Sequence, residues 1–156
     1  MANLVDVIAD AEKQIGVLLN KHVKIVVETI TGANAKIDEL RYIVWDTECD
    51  EKVPTKFWFT SQLALFSLTQ LPGCCGICVS YHSYVSEPVR RKGLGTLLCS
   101  VRKDIAKALG YGCMLCTDVV KNGAQKRILD KNGWKETHRF LNPRTDNNVN
   151  IHVVDL

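Results

Sequence analysis

Apolar residues recur every three or four positions at Leu4, Val7, Ile8, Ala11, Ile15, Leu18 and Leu19, which predicts an amphipathic helix over residues 3–19 with Asn3 as its N-cap. The pattern then shortens. VKIVVETI at 23–30 is β-branched and reads as a strand. A turn is expected at 31–34 (TGAN), then a second strand at 40–45 (LRYIVW), although Ile37, Leu40 and Val44 also suit a helix. Residues 47–55, acidic and then broken by Pro54, read as a loop. In 57–71, Leu63, Leu65 and Phe66 allow a strand, whereas Thr60 or Ser61 as a cap allows a short helix. The Leu71-Pro72-Gly73 turn favours the strand, because it returns the chain as a hairpin into the apolar run 76–85.

The second half is more regular. Residues 96–109 bury Leu97, Leu98, Val101, Ile105 and Leu109 on one helical face, expose Arg102, Lys103 and Lys107, and end at Gly110. A strand is predicted at 113–120 (CMLCTDVV). A helix follows at 122–131 with Ala124, Ile128 and Leu129 inward, stopped by Asn132-Gly133. Residues 134–141 and 149–154 read as a terminal antiparallel pair.

At 156 residues and 46% hydrophobic, the expectation is one domain, 1–156, with a real core. No apolar run is long enough to span a bilayer, and the N-terminal ten residues lack a basic region, so no membrane partner and a cytoplasmic location are expected. A net charge of +3 suits an anionic ligand and is too small to argue for nucleic acid. Most of the seven cysteines lie in apolar runs, as reduced buried thiols do. Two CxxC pairs, Cys75/Cys78 and Cys113/Cys116, have zinc-ligand spacing. In strands, however, residues i and i+3 face opposite ways, so no metal site is expected.

The most informative stretch joins the strand at 76–85 to the helix after it: Val85-Ser86-Glu87-Pro88-Val89-Arg90-Arg91-Lys92-Gly93-Leu94-Gly95-Thr96. A helix N-terminus presents unpaired N–H groups and the positive end of the helix dipole, and the glycines let a ligand reach the main chain. With Arg90, Arg91 and Lys92 beside them, these groups point to a phosphate or pyrophosphate site. Neither GxxxxGK[ST] nor GxGxxG is present.

The order Arg90-x-x-Gly93-x-Gly95 resembles the acetyl-CoA loop of the GNAT family of N-acetyltransferases, Q/R-x-x-G-x-G/A. A second segment, Asn122-x-Ala124-x-x-x-Ile128-Leu129-Asp130-Lys131-Asn132-Gly133-Trp134, is similar to that family's N-x-x-A…l-Y-e-k-x-G-F. The resemblance covers about the C-terminal half. It implies an α/β fold: a mixed, twisted central sheet of six or seven strands flanked by helices, with a parallel pair that splays apart at the cofactor cleft. It implies acetyl-CoA as acyl donor, its pyrophosphate on the N–H groups from Arg91 to Thr96 (through Lys92, Gly93, Leu94 and Gly95), with Arg90 alongside. Its pantetheine arm would pair like an added strand near Val85, with Asn122 on that arm.

The implied reaction is direct attack of an amine on the thioester, which needs a base, an acid and a donor to the carbonyl oxygen. The family's tyrosine acid is replaced by Leu129, and 77–84 contains no carboxylate. His82 and Asp118 are the candidate bases; Asp118 also suits a turn cap, and Asn122 an N-cap. The acceptor, a small amine, a protein or a nucleic-acid base, is not specified, and a homodimer is allowed. Two alternatives stand beside acetyl transfer. One is a non-catalytic module that binds CoA or a partner. The other is a nucleic-acid base-modifying transferase of phage type, using Arg102, Lys103, Lys107, Lys121, Lys126 and Arg127 on phosphate.

Overall fold

The computed structural model describes residues 3–31, 39–48 and 61–156. Asn3 caps helix α1 (Leu4–Leu19) as expected: its side-chain oxygen accepts the Val5 N–H at 3.1 Å. Strands β1 (Val23–Ile30) and β2 (Glu39–Asp46) follow the β-branched runs. β3 (Gln62–Leu71) turns back at Pro72-Gly73, with Gly73 at φ 78°, into β4 (Cys74–Val85), so the reading of 57–71 as a strand returning into 76–85 holds from residue 62 on. A single 3₁₀ turn (Glu87–Val89) leads to helix α2 (Leu94–Ala108), then β5 (Cys113–Val119), helix α3 (Gly123–Lys131), β6 (Lys135–Asn142) and β7 (Asn147–Asp155). The turn expected at 31–34, apart from Thr31, most of the 47–55 loop and the first residues of 57–71 lie outside the described residues.

The seven strands form one mixed sheet in the order β1-β2-β3-β4-β5-β7-β6. Every neighbouring pair is antiparallel except β4–β5, which is parallel. That parallel pair requires a crossover, and α2 supplies it. One hydrophobic cluster joins Ala11 and Ile15 of α1, Leu98 and Ile105 of α2 and Leu129 of α3 to alternate strand residues such as Tyr42, Phe66, Cys78 and Met114. The core thus lies between the helices and one face of the sheet. Within each CxxC pair the two thiols differ in the way the strand period demands: Cys75 is exposed and Cys78 buried, Cys113 half-buried and Cys116 buried.

Two expectations about α2 and α3 need correction. Arg102, predicted to lie in solvent, is 3% exposed. It shares a stripe with Leu98 and Ile105, four residues back and three ahead, so the helical period puts it on the core side. Leu129 is inward as the helical period predicts, fully buried in the core cluster, so the second correction is to the motif, which would have it stand where a proton donor faces the cofactor. Its neighbour Ile128 is the residue that reaches the cleft.

Candidate functional site

The site begins with a fault in the sheet. Leu65 pairs with Tyr84 and Ser67 with Tyr81, so His82 and Ser83 of β4 stand opposite the single residue Phe66 of β3. This is a β-bulge, which bends its strand and sharpens the twist. His82 takes the left-handed conformation at φ 51°, uncommon for a residue with a side chain. On its other edge β4 matches β5 only through Ile77↔Cys113, Cys78↔Met114 and Val79↔Leu115. Beyond that third rung no register is kept, and the strands diverge toward His82 and Asp118. The splayed parallel pair is therefore present.

Along the divergence lies a cleft with two adjoining parts. The outer part, of about 630 Å³, runs past Val85, Arg90, Gly93, Thr96 and Ile128. The inner part, of about 420 Å³, lies between the separated strands and is lined by Ser80, His82, Arg102, Thr117 and Asp118 among others. Ser83, Asn122 and Gln125 border both.

The glycine loop supplies the outer wall. Arg90 does not reach outward: its Nε donates to the Val85 carbonyl at 2.9 Å, and its guanidinium lies 5.7 Å from the Tyr84 ring centroid. It pins the loop to the end of β4. Arg91 and Gly93 both have positive φ, 62° and 86°, which turns the chain sharply into α2. The first intrahelical bond runs from the Leu97 N–H to the Gly93 carbonyl at 3.1 Å, so the N–H groups of Leu94, Gly95 and Thr96 precede any helical acceptor. The Leu94 side chain is buried and can offer a ligand only its N–H, while Lys92 is exposed. A Cβ at Gly95 would lie 3.2 Å from Ile128 Cδ1, so any side chain there would press on the Ile128 tip beside the cleft.

Asn122 is the N-cap of α3, accepting the Gln125 N–H at 3.2 Å. Its Oδ1 is occupied, which leaves the Nδ2 amide for a ligand.

The two candidate bases lie in different surroundings. His82 is exposed, its ring 4.5 Å from that of Tyr81 and its Nδ1 3.8 Å from Glu39 Oε1. Glu39 accepts from Ser67 Oγ at 2.6 Å and from Arg41 at 3.3 Å. Burial pushes the Glu39 carboxyl up, but the hydrogen bonds from Ser67 and Tyr81, with Arg41, outweigh it and hold the group below its ordinary range. Burial and the Glu39 hydrogen bond push the Tyr81 phenol up to about 12. Sequence reasoning looked for a carboxylate on β4 and missed this one, which arrives from β2 through the register Arg41↔Ser67↔Tyr81. Asp118 is 6% exposed and does not cap a turn. Its Oδ1 lies 2.7 Å from His152 Nε2, itself fully buried, and its Oδ2 has no partner among the described residues.

No family model matches the chain, and no curated protein matches it in sequence. Solved structures do. An IAA acetyltransferase from Bacillus cereus superposes with a TM-score of 0.62 at 13% identity, over 85% of this chain and 100% of that one. A spermidine N-acetyltransferase from Vibrio cholerae, in complex with CoA and spermine, gives 0.58 at 15% identity over 75% of this chain. A GNAT-family acetyltransferase from Streptococcus pneumoniae gives 0.58 at 14% identity over 76% of this chain. The chain spans just under two thirds of these last two, 65% and 66% of their lengths. With the bulged β4, the parallel pair that parts after three rungs and the glycine turn into α2, these superpositions give the chain the GNAT fold.

Proposed function

We propose that the protein transfers an acyl group from a coenzyme A thioester to an amine. The observation that carries this reading is the junction of two features. The cavity between β4 and β5 and the one at the N-terminus of α2 adjoin, sharing Ser83, Asn122 and Gln125 in their linings. A ligand with a diphosphate at one end and an extended, hydrogen-bonding arm at the other suits both. The N–H groups from Arg91 to Thr96 would take the diphosphate, with Arg90 and Lys92 adding charge. The arm would lie along β4 by Val85, with Asn122 donating from the other side. Acetyl-CoA is the simplest donor of this kind.

In the reaction, a C–N bond forms as the C–S bond breaks. The acceptor ammonium first gives one proton to a base, the neutral amine attacks, and the second proton that the nitrogen loses passes through water to the departing CoA thiolate. His82 suits the role of base, because it stands at the bulge, in reach of solvent, with the Glu39 carboxylate 3.8 Å from its Nδ1. Asp118, with one oxygen on His152 and its side chain out of solvent, suits positioning better than proton exchange. The acceptor would be a small amine or a peptide amine; the burial of Arg102 removes one cation from the surface that a nucleic acid would use. A CoA-binding module without turnover is favoured by one observation, the burial of Leu129, which leaves no phenol at the family's acid position.

Incubation with acetyl-CoA and a panel of amines and peptides, read by free-thiol release and by mass spectrometry of the products, tests the proposal. Thiol release that depends on the amine is the expected result. CoA binding without release would establish the module instead, and absence of CoA binding would remove both.

A further inference from the structure

The inner cleft holds a charge that acyl transfer does not use. Arg102 projects from α2 to the point where β4 and β5 part. Its Nη1 donates to Ser80 Oγ at 3.0 Å and its Nε to the Leu98 carbonyl at 3.2 Å. Ser80 directly follows Val79, the last β4 residue paired with β5. The guanidinium is 6.0 Å from the Phe66 ring centroid, and its residue is 3% exposed. Among the described residues no carboxylate lies within ion-pair distance of it: Asp118, the acid of the same cavity, pairs with His152. A buried cation without a counter-ion is costly, and such groups are ordinarily paired. A planar guanidinium is also the side chain best shaped to hold a carboxylate by two parallel bonds.

The geometry identifies the missing partner by its position. A CoA arm entering past Ser83 meets Ser80 three residues deeper, on the order of 10 Å along the strand. On the CoA reading, the part of the ligand that would reach that depth is the acyl group. We propose that the acyl group carries a terminal carboxylate, held by Arg102 at the vertex of the cleft, so that the preferred donor is a short dicarboxylic acyl-CoA rather than acetyl-CoA. Arg102 is then the residue that sets donor specificity. The inference rests on the CoA reading above and deepens it.

The test uses binding alone and needs no acceptor. Calorimetry measures CoA, acetyl-CoA and succinyl-CoA against the wild-type protein, Arg102→Met and Arg102→Lys, with a thermal melt of each variant. The expected result is a wild-type affinity for succinyl-CoA at least about tenfold above that for acetyl-CoA, as a desolvated charge-assisted bond gives. In Arg102→Met that ratio falls to about one while the affinity for CoA itself is kept. Arg102→Lys retains part of the preference. Equal affinity of the wild type for the two thioesters overturns the proposal without any variant being folded, as does a preference that survives Arg102→Met. If CoA and both thioesters all fail to bind, the CoA reading falls and this inference with it. If CoA binds and the ratio is one, only this inference falls.

Discussion

Gly93→Glu separates the loop's role in binding from its role in the fold. Gly93 has φ 86° and serves as N-cap of α2. Space does not forbid a side chain: the atom nearest a Cβ would be Leu18 Cδ1 at 3.9 Å. The left-handed backbone does, at about 1–2 kcal/mol. A carboxylate at the helix N-terminus returns about 0.3–1 kcal/mol. The net loss is about 1 kcal/mol, a fall in Tm of about 2–4 °C for a domain of this size. Binding should respond far more. A carboxylate held about 4 Å from a diphosphate opposes it by about 4 kcal/mol at an effective dielectric constant of 20, or about a thousandfold in Kd. Gly95→Ala is the milder change in the same loop. Its Cβ would meet the movable end of Ile128 at 3.2 Å, and alanine gains about 1 kcal/mol of helix propensity, so stability should hardly change. Its affinity for CoA should fall, but by less. Calorimetry with CoA beside a thermal melt gives both numbers. Undiminished CoA binding by a folded Gly93→Glu protein would refute the assignment of the diphosphate to this loop.

Leu129→Tyr should not create a proton donor: the site is closed core, so the larger ring should cost about 1–3 kcal/mol in denaturant unfolding and leave turnover no faster. His82→Ala should flatten the acidic limb of the pH–rate profile, whereas Asp118→Asn should leave its shape intact. Because the Glu39 carboxyl titrates below its ordinary 4.5 in the folded protein, it contributes stability above that pH, lost as pH falls through the lowered value. Glu39→Gln should therefore make unfolding less dependent on pH below about 4.5, and an unchanged acid-unfolding curve would break the Glu39 cluster as described. Burial pushes the Cys78 and Cys116 thiols up to about 12, so alkylation at neutral pH, followed by peptide mass mapping, should label exposed Cys75 long before either.

Local order was legible wherever neighbours in sequence decide it. The 3.6-residue period set α1, Asn3 its cap, and the Pro-Gly turn the β3–β4 hairpin. The glycine loop was equally plain, because the role proposed for it rests on main-chain groups whose positions follow from a strand meeting a helix. Residues brought together by register were not legible. Glu39 reaches His82 only because β2, β3 and β4 align Arg41, Ser67 and Tyr81 in one row. Asp118 meets His152 because β7 lies antiparallel to β5. Arg102 is a different kind of miss. Its helical phase marked it as inward, but a charge is ordinarily assigned to solvent, and that habit outweighed the period.

The three-rung contact between β4 and β5 has a mechanical meaning as well. On one side of it stand β1 to β4, on the other β5 to β7, and each half is laced internally by longer antiparallel registers. The sheet is therefore two plates joined by a short seam, with α2 laid across it as a brace. An extended ligand occupying the open length of the seam would lace the plates together as an eighth strand. It would then be part of the architecture, raising the cost of unfolding by about 2.7 kcal/mol when present at a hundred times its Kd. Without it, the seam should be the first line along which the sheet breathes, and amide exchange should be faster there than in the middle of either plate.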